Sequence, residues 1–274
     1  MTIWRILSFV VFTIIFVASL FLEQLKYVLP CIVMVASLVG VYEFYKISTK
    51  RGCKPNWIIG FVASMLIIID GYVFNFEKIK YILPLFIILS LFSNLLKARF
   101  INSITDISIT VFGVLYISLP MALLLNIMVQ YELSSYVIIF LVLTTWSTDS
   151  GAYVVGKSIG KHKLAPRLSP NKTIEGAIGG LITTIIVAVC LREFWPMMGK
   201  IFTITDALTL GVLFGVFGQM GDLCESAFKR DAGVKDSGRT FTGHGGLLDI
   251  VDSLIVCIPI MYCYIDNLKL NMLA

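Results

Sequence analysis

The chain has 274 residues, of which 58% are hydrophobic and 14% charged, and its mean hydropathy is +0.90. A soluble globular domain carries about a quarter charged residues, so this composition excludes one and predicts a chain that lives in a membrane. Basic cytoplasmic loops by themselves account for a net charge of +5, which gives no reason to invoke nucleic acid.

Apolar runs recur along the whole chain, at 3–22, 27–45, 57–74, 81–96, 107–129, 136–153, 174–191, 207–224 and 247–264. Most approach the ~20 residues that a helix rising ~1.5 Å per residue needs to cross about 30 Å of hydrocarbon. The expected fold is therefore all-α, a polytopic integral membrane protein of about nine transmembrane helices. With the N-terminus in the cytoplasm, that count puts the clusters at 46–54, 97–99, 157–172 and 229–239 on the cytoplasmic side. Only Lys26, Lys78, Lys80, Arg192, Lys200 and Lys269 remain outside, as the positive-inside rule requires. The first run follows Arg5 and exceeds a signal-peptide apolar region, so it is read as an uncleaved anchor.

Residues 1–148 carry hardly any ionisable group deep in a span. Glu43 and Asp70 fall near span ends, where snorkelling makes charge cheap, and this part is expected to be scaffold. Residues 149–264 are expected to form the helices and cytoplasmic loops that carry the chemistry, followed by a tail at 265–274. No repeat or low-complexity linker divides them, which predicts one integral domain. The six cysteines, at 31, 53, 190, 224, 257 and 263, show no metal-ligand spacing and are assigned to packing.

Polar groups gather from Asp149 onward. Asp149-Ser150-Gly151-Ala152-Tyr153 ends the sixth run, and a carboxylate there should face a polar interior rather than lipid; an interhelical hydrogen bond would explain it equally well. Next come Gly156-Lys157, Gly160-Lys161, Lys163 and then Ser169-Pro170-Asn171-Lys172-Thr173-Ile174-Glu175-Gly176. This predicts a basic loop, with Thr173 capping the next helix. A helix N-terminus beside Lys172 makes a phosphate site, although a positive-inside loop without ligand has the same composition. Gly176 with Gly180, and Gly211 with Gly215, are small-xxx-small pairs expected to serve close helix packing.

The eighth run ends in Gly221-Asp222-Leu223-Cys224-Glu225-Ser226-Ala227-Phe228-Lys229-Arg230. If the helix continues through it, Asp222, Glu225, Ser226 and Lys229 form one stripe. Asp222 and Lys229 then lie about 10 Å apart along the axis, a span that suits a polyphosphate. Lys229, Arg230, Lys235, Asp236, Arg239, His244 and Asp249 crowd the following stretch, and Asp249 and Asp252 open the ninth run. Carboxylates from two spans are expected to converge on a cation. Oxygen ligands without His or Cys favour Mg²⁺, shared with substrate phosphates; the alternative is that Asp222 pairs with a neighbouring Lys or Arg.

These residues resemble the signature of the phosphatidate cytidylyltransferases, or CDP-diacylglycerol synthases: Ser226, Phe228, Lys229, Arg230, Lys235, Asp236, His244, Gly245, Gly246, Leu247, Asp249 and Asp252 stand in its order. Asp149 to Tyr153 and Ser169 to Gly176 are similar to the family as well. The strong resemblance covers 149–252, and residues 1–148 match only in being hydrophobic. Ile250 stands where the family usually has Arg, which leaves that Arg's phosphate or carboxylate contact open, with Arg239 as the residue that could substitute; Thr242 stands where it usually has Pro.

The resemblance implies transfer of the cytidylyl group of CTP to phosphatidate, giving CDP-diacylglycerol and pyrophosphate at the cytoplasmic face of the inner membrane. The expected catalytic set is Asp222, Asp249, Lys229 and His244. Asp222 and Asp249 hold Mg²⁺, with Asp252 as an outer or alternate ligand. Lys172, Lys229, Arg230 and Lys235 hold phosphates, and His244 donates to a phosphate or a base edge. Ser226 and Asp236 orient, while Ser169, Asn171, Asp149, Gly245 and Gly246 line the substrate site. A second metal ion and the oligomeric state, a homodimer included, stay open. Two other readings are a CTP-dependent polyprenol or phytol kinase, which would release CDP, and a transporter for an anionic solute. A transporter would show repeated halves with charge near the midplane of both, which this sequence lacks.

Overall fold

The apolar runs fold as helices. In the computed structural model, which describes residues 14–25, 27–95, 102–238 and 245–268, these are α1 (Val28–Lys50), α2 (Trp57–Val73), α3 (Ile79–Leu95), α4 (Ser103–Gln130), α5 (Ser134–Ile159), α6 (Ile174–Phe194), the short α7 (Pro196–Ile201), α8 (Ile204–Asp231) and α9 (Leu248–Leu268). Among the described residues, six helices are long and apolar enough to cross a membrane: Glu23–Lys50, which includes α1, then α4, α5, α6, α8 and Leu248–Asp266 of α9. Helices α2 and α3 are apolar but have 17 residues each. The first expected run lies mostly outside the described residues. An all-α membrane protein is the result.

One local expectation is corrected. The segment read as a basic loop contains a two-stranded antiparallel ribbon, β1 (Lys163–Ala165) and β2 (Ser169–Thr173), in which Lys163 faces Thr173 and Ala165 faces Ser169. Pro170 lacks an N–H, and a two-stranded ribbon accommodates it because each strand has an unpaired edge. Thr173 closes β2 and caps α6 as expected, its Oγ1 accepting from Gly176 N at 3.1 Å.

The chain forms two compact units. The first takes the residues up to Val129 with Asp231–Ile250, the second Gln130–Arg230 with the residues from Val251 onward. In the first unit, Asn56 caps α2 by accepting from Ile59 N, and the buried Tyr45 hydroxyl donates to the Thr110 carbonyl at 2.6 Å. A π-helical turn at Val114–Ser118 interrupts α4, where Ser37 donates to Ser118 at 2.8 Å. Glu43 and Asp70 overturn the snorkelling reading, since each is only 1% exposed. Asp70 is answered by Lys78 N at 3.0 Å, so burial here is supported by backbone donors rather than by reach to water.

In the second unit, both glycine pairs act as helix seams. A Cβ on Gly180 would stand 2.8 Å from the Thr148 carbonyl oxygen, and one on Gly176 2.8 Å from that of Ala152, so α6 lies directly on α5. On Gly211 or Gly215 it would stand 2.9 or 3.1 Å from the Cα of Ile185 or Leu181, bringing α8 against α6. Thr148 and Thr184 share a hydrogen bond of 2.5 Å across α5 and α6. Such seams replace the hydrophobic drive that lipid cannot provide between helices.

Because the Gly180 seam is backbone against backbone, Gly180→Val should lower stability by about 1–3 kcal/mol. The check is thermal loss of helical circular dichroism in mixed micelles, where an unchanged transition would contradict the seam.

Candidate active site

Helix α8 runs unbroken through Asp222, Glu225, Ser226 and Lys229, which makes the predicted stripe real. Glu225 is fully buried and ion-paired with Lys229, itself nearly buried. Their spacing of four residues, acid first, is the favourable orientation on a helix. Asp222 pairs with Lys172 of β2, each side chain being about a quarter exposed. Ser226 Oγ donates to Asp222 Oδ1 at 3.4 Å. At the end of α8, Arg230 donates from Nε to the Leu168 carbonyl at 3.0 Å, holding the bend between β1 and β2.

Two further carboxylates of the second unit join this group. Asp252 of α9 is buried and accepts from Ser253 N at 2.5 Å; it lies within electrostatic reach of Asp222, Glu225 and Asp149. Asp149 of α5 feels Asp222 and Lys172. Four carboxylates thus face two ammonium groups, Lys172 and Lys229. Like charges at this density in an apolar surround call for added positive charge. That excess fits a hard divalent cation in the character of its donors, which are all oxygen. In the geometry present, no three acidic, His or Cys side chains among the described residues form a ready ligand group, and Lys172 occupies the flank of Asp222.

The strand β2 brings Lys172 to this group, while Asn171 is exposed and Ser169 half-buried. Glu175, from the same motif, accepts from Lys161 N at 3.0 Å and His162 N at 3.2 Å, and meets His162 Nδ1 at 2.6 Å. It pins the base of the ribbon to α6.

The other expected residues that the structure describes lie in the first unit. Asp249 Oδ2 accepts from Ser237 N at 3.0 Å, Ser237 Oγ at 2.8 Å and Gly246 N at 2.7 Å. Gly245 has φ +90°, a left-handed conformation that only glycine adopts cheaply. Lys235 and Asp236 are exposed. His244, Arg239 and Thr242 lie outside the described residues. Among the buried carboxylates given no site role by the sequence, two lie beside residues of the signature: Glu225, visible in the stripe, and Glu43. Glu43 had a signal too, as the one charged residue in an apolar stretch from Val28 to Tyr45.

A model of the cytidylyltransferase family matches residues 3–268. A phosphatidate cytidylyltransferase of Staphylococcus saprophyticus is 37% identical over 206 residues, covering 74% of this chain and 75% of that protein. One from Staphylococcus haemolyticus is 36% identical over 232 residues, covering 82% and 85%, and one from Staphylococcus aureus is 36% identical over 236 residues, covering 83% and 85%.

Lys229→Met takes the ammonium from a carboxylate with no exposure, and should cost on the order of 3–5 kcal/mol. The double variant Lys229→Met with Glu225→Leu should recover most of that. Unfolding midpoints of the single and double variants in micelles measure the cycle, and equal losses in both would refute the buried pair.

Proposed function

The chain belongs to the cytidylyltransferase family, and we propose that it transfers the cytidylyl group of CTP to phosphatidate, giving CDP-diacylglycerol and pyrophosphate for phospholipid biosynthesis. The observation that carries this reading is the group of Asp149, Asp222, Glu225, Asp252 and Lys229 on the long apolar helices of the second unit, with Lys172 reaching it from β2. Such a set suits a reaction whose difficulty is joining two polyanions.

In the reaction, an oxygen of the phosphatidate phosphate forms a bond to the α-phosphorus of CTP as the bond from that phosphorus to the β-phosphate bridge oxygen breaks. The bonding electrons leave with pyrophosphate. A phosphate monoester with a second pKa of about 6 is already largely dianionic near neutrality, so the nucleophile needs little help from a base. What it needs is relief of repulsion. Lys172 exchanges its partner Asp222 for a CTP phosphate, and Lys229 stays anchored by Glu225 beside the same stripe. Arg230 adds a phosphate contact and Ser226 orients Asp222, while the part of Lys235 rests on the sequence motif.

Mg²⁺, when bound, supplies positive charge to the triphosphate and to the departing pyrophosphate. Asp222 is proposed to hold it, with Asp252 and Asp149 nearby. The part of Asp249 rests on the sequence motif, as do those of His244, Asp236, Ser169, Asn171, Gly245 and Gly246. The proposal includes about nine spans, a cytoplasmic N-terminus and a site on the cytoplasmic face of the inner membrane, supported by the distribution of Lys and Arg.

Purified protein incubated with phosphatidate, Mg²⁺ and each of the four NTPs should form a nucleotidyl lipid, detected by mass spectrometry, with CTP. Phosphorylated lipid with release of CDP would instead indicate a lipid kinase. Asp222→Ala should leave a folded protein whose pyrophosphate release is at least ~100-fold slower, equivalent to about 2.7 kcal/mol of barrier; undiminished turnover removes Asp222 from the metal. Chelation with EDTA should stop turnover and excess Mg²⁺ restore it.

A further inference from the structure

Glu43 sits in α1, far in sequence from the signature segment, yet its Oε2 accepts from Leu248 N at 2.9 Å and from Ser237 Oγ at 3.3 Å. Leu248 opens α9, and its N–H is one of the donors that a helix start cannot satisfy internally. A carboxylate at that position also complements the positive end of the helix. The space around it is closed by glycines: a Cβ on Gly246 would stand 2.5 Å from Glu43 Oε2, and one on Gly238 2.8 Å from Glu43 Cδ. The second glycine of the Gly245-Gly246 pair is thus required by Glu43 and Ser237, whereas a Cβ on the first would stand 2.5 Å from Asp249 Oδ2.

The Ser237 hydroxyl joins the two acids. It lies 2.8 Å from Asp249 Oδ2 and 3.3 Å from Glu43 Oε2, and with one proton to give it serves one acid at a time, so the two compete for it. Glu43 therefore acts on Asp249 by two routes, through that competition and through the first turn of α9. The contacts to Leu248 N and Ser237 Oγ tie Glu43 to the segment that carries Asp249.

We infer that Glu43 is a positioning residue for Asp249 in the cytidylyl transfer. It fixes the Gly245–Asp249 turn and the orientation of the Asp249 carboxylate. This inference rests on the function proposed above. Glu43→Gln keeps an oxygen acceptor and Glu43→Leu does not, which separates acceptor geometry from bulk.

The test compares wild type, Glu43→Gln, Glu43→Leu and Ser237→Ala in the CTP and phosphatidate assay, with hydrogen–deuterium exchange of the 245–250 peptide in the absence of Mg²⁺. Glu43→Leu should lower kcat and raise the Mg²⁺ concentration for half activity by about 10–100-fold, the range found when a ligand loses its supporting partner. Its 245–250 amides should exchange faster, Glu43→Gln should stay within about 5-fold of wild type, and Ser237→Ala should share the Mg²⁺ defect. A folded Glu43→Leu protein with wild-type kcat, Mg²⁺ requirement and exchange overturns the inference, as does equal impairment of Gln and Leu variants. Should Glu43→Leu fail to fold, Ser237→Ala decides, and a wild-type Mg²⁺ requirement there overturns it. A wild type that forms no CDP-diacylglycerol fails the proposed function alone, because the exchange comparison still reads the Glu43 contact.

Discussion

A carboxylate withdrawn from water must be answered by an N–H or by a cation, and this molecule uses both answers. In the first unit the answer is backbone. Lys78 N serves Asp70, Lys54 N serves Asp106, Leu248 N serves Glu43, and Gly246 N and Ser237 N serve Asp249. In the second unit backbone serves Asp252, Glu175 and Asp206 through Ser253 N, Lys161 N and Thr203 N, and an ammonium serves two more, Lys172 for Asp222 and Lys229 for Glu225. Backbone donors are fixed in place once the fold forms, whereas a lysine head travels on a four-carbon stem. The first arrangement holds shape and the second can trade partners, which is what a site visited by nucleotide and lipid phosphates requires.

The division also explains why small residues matter so much. Helices in lipid gain little from burying apolar surface against one another, so they adhere by backbone proximity and a few hydrogen bonds. Gly176 and Gly180 bring α6 onto α5, and Gly221, whose added Cβ would stand 2.8 Å from the Asp252 carbonyl oxygen, brings α8 onto α9. The polar stripe of α8 is delivered to Asp252 by the same close approach. Packing and chemistry share one seam.

Hydropathy made the helices legible because a membrane-crossing run leaves no room for polar residues, and the stripe from Asp222 to Lys229 was legible because helical spacing follows from residue number. Partner choice was legible only within a helix. The Lys229–Glu225 pair follows from four-residue spacing on one helix, but that Lys172 would pair with Asp222 depends on which elements lie side by side, which periodicity does not encode. The ribbon at 163–173 was missed because Pro170 and a run of polar residues read as loop, while its strand character comes from pairing rather than from propensity. Glu43 was misread since nearness to a span end says nothing about which segment folds over it.

Thr173 is the last residue of β2 and the cap of α6, with no linker between them. Ile174 N donates to the His162 carbonyl at 2.9 Å and Glu175 holds the amides of Lys161 and His162, so ribbon and helix turn as one rigid piece. Lys172 is then a tooth on a shaft: rotating α6 swings the ammonium through an arc, and adding or deleting a residue after Ser169 would throw it onto the opposite side of the ribbon. Variation in chain length can be absorbed only in the bend between Ala165 and Ser169, which leaves the reach of that ammonium geared to the helix behind it.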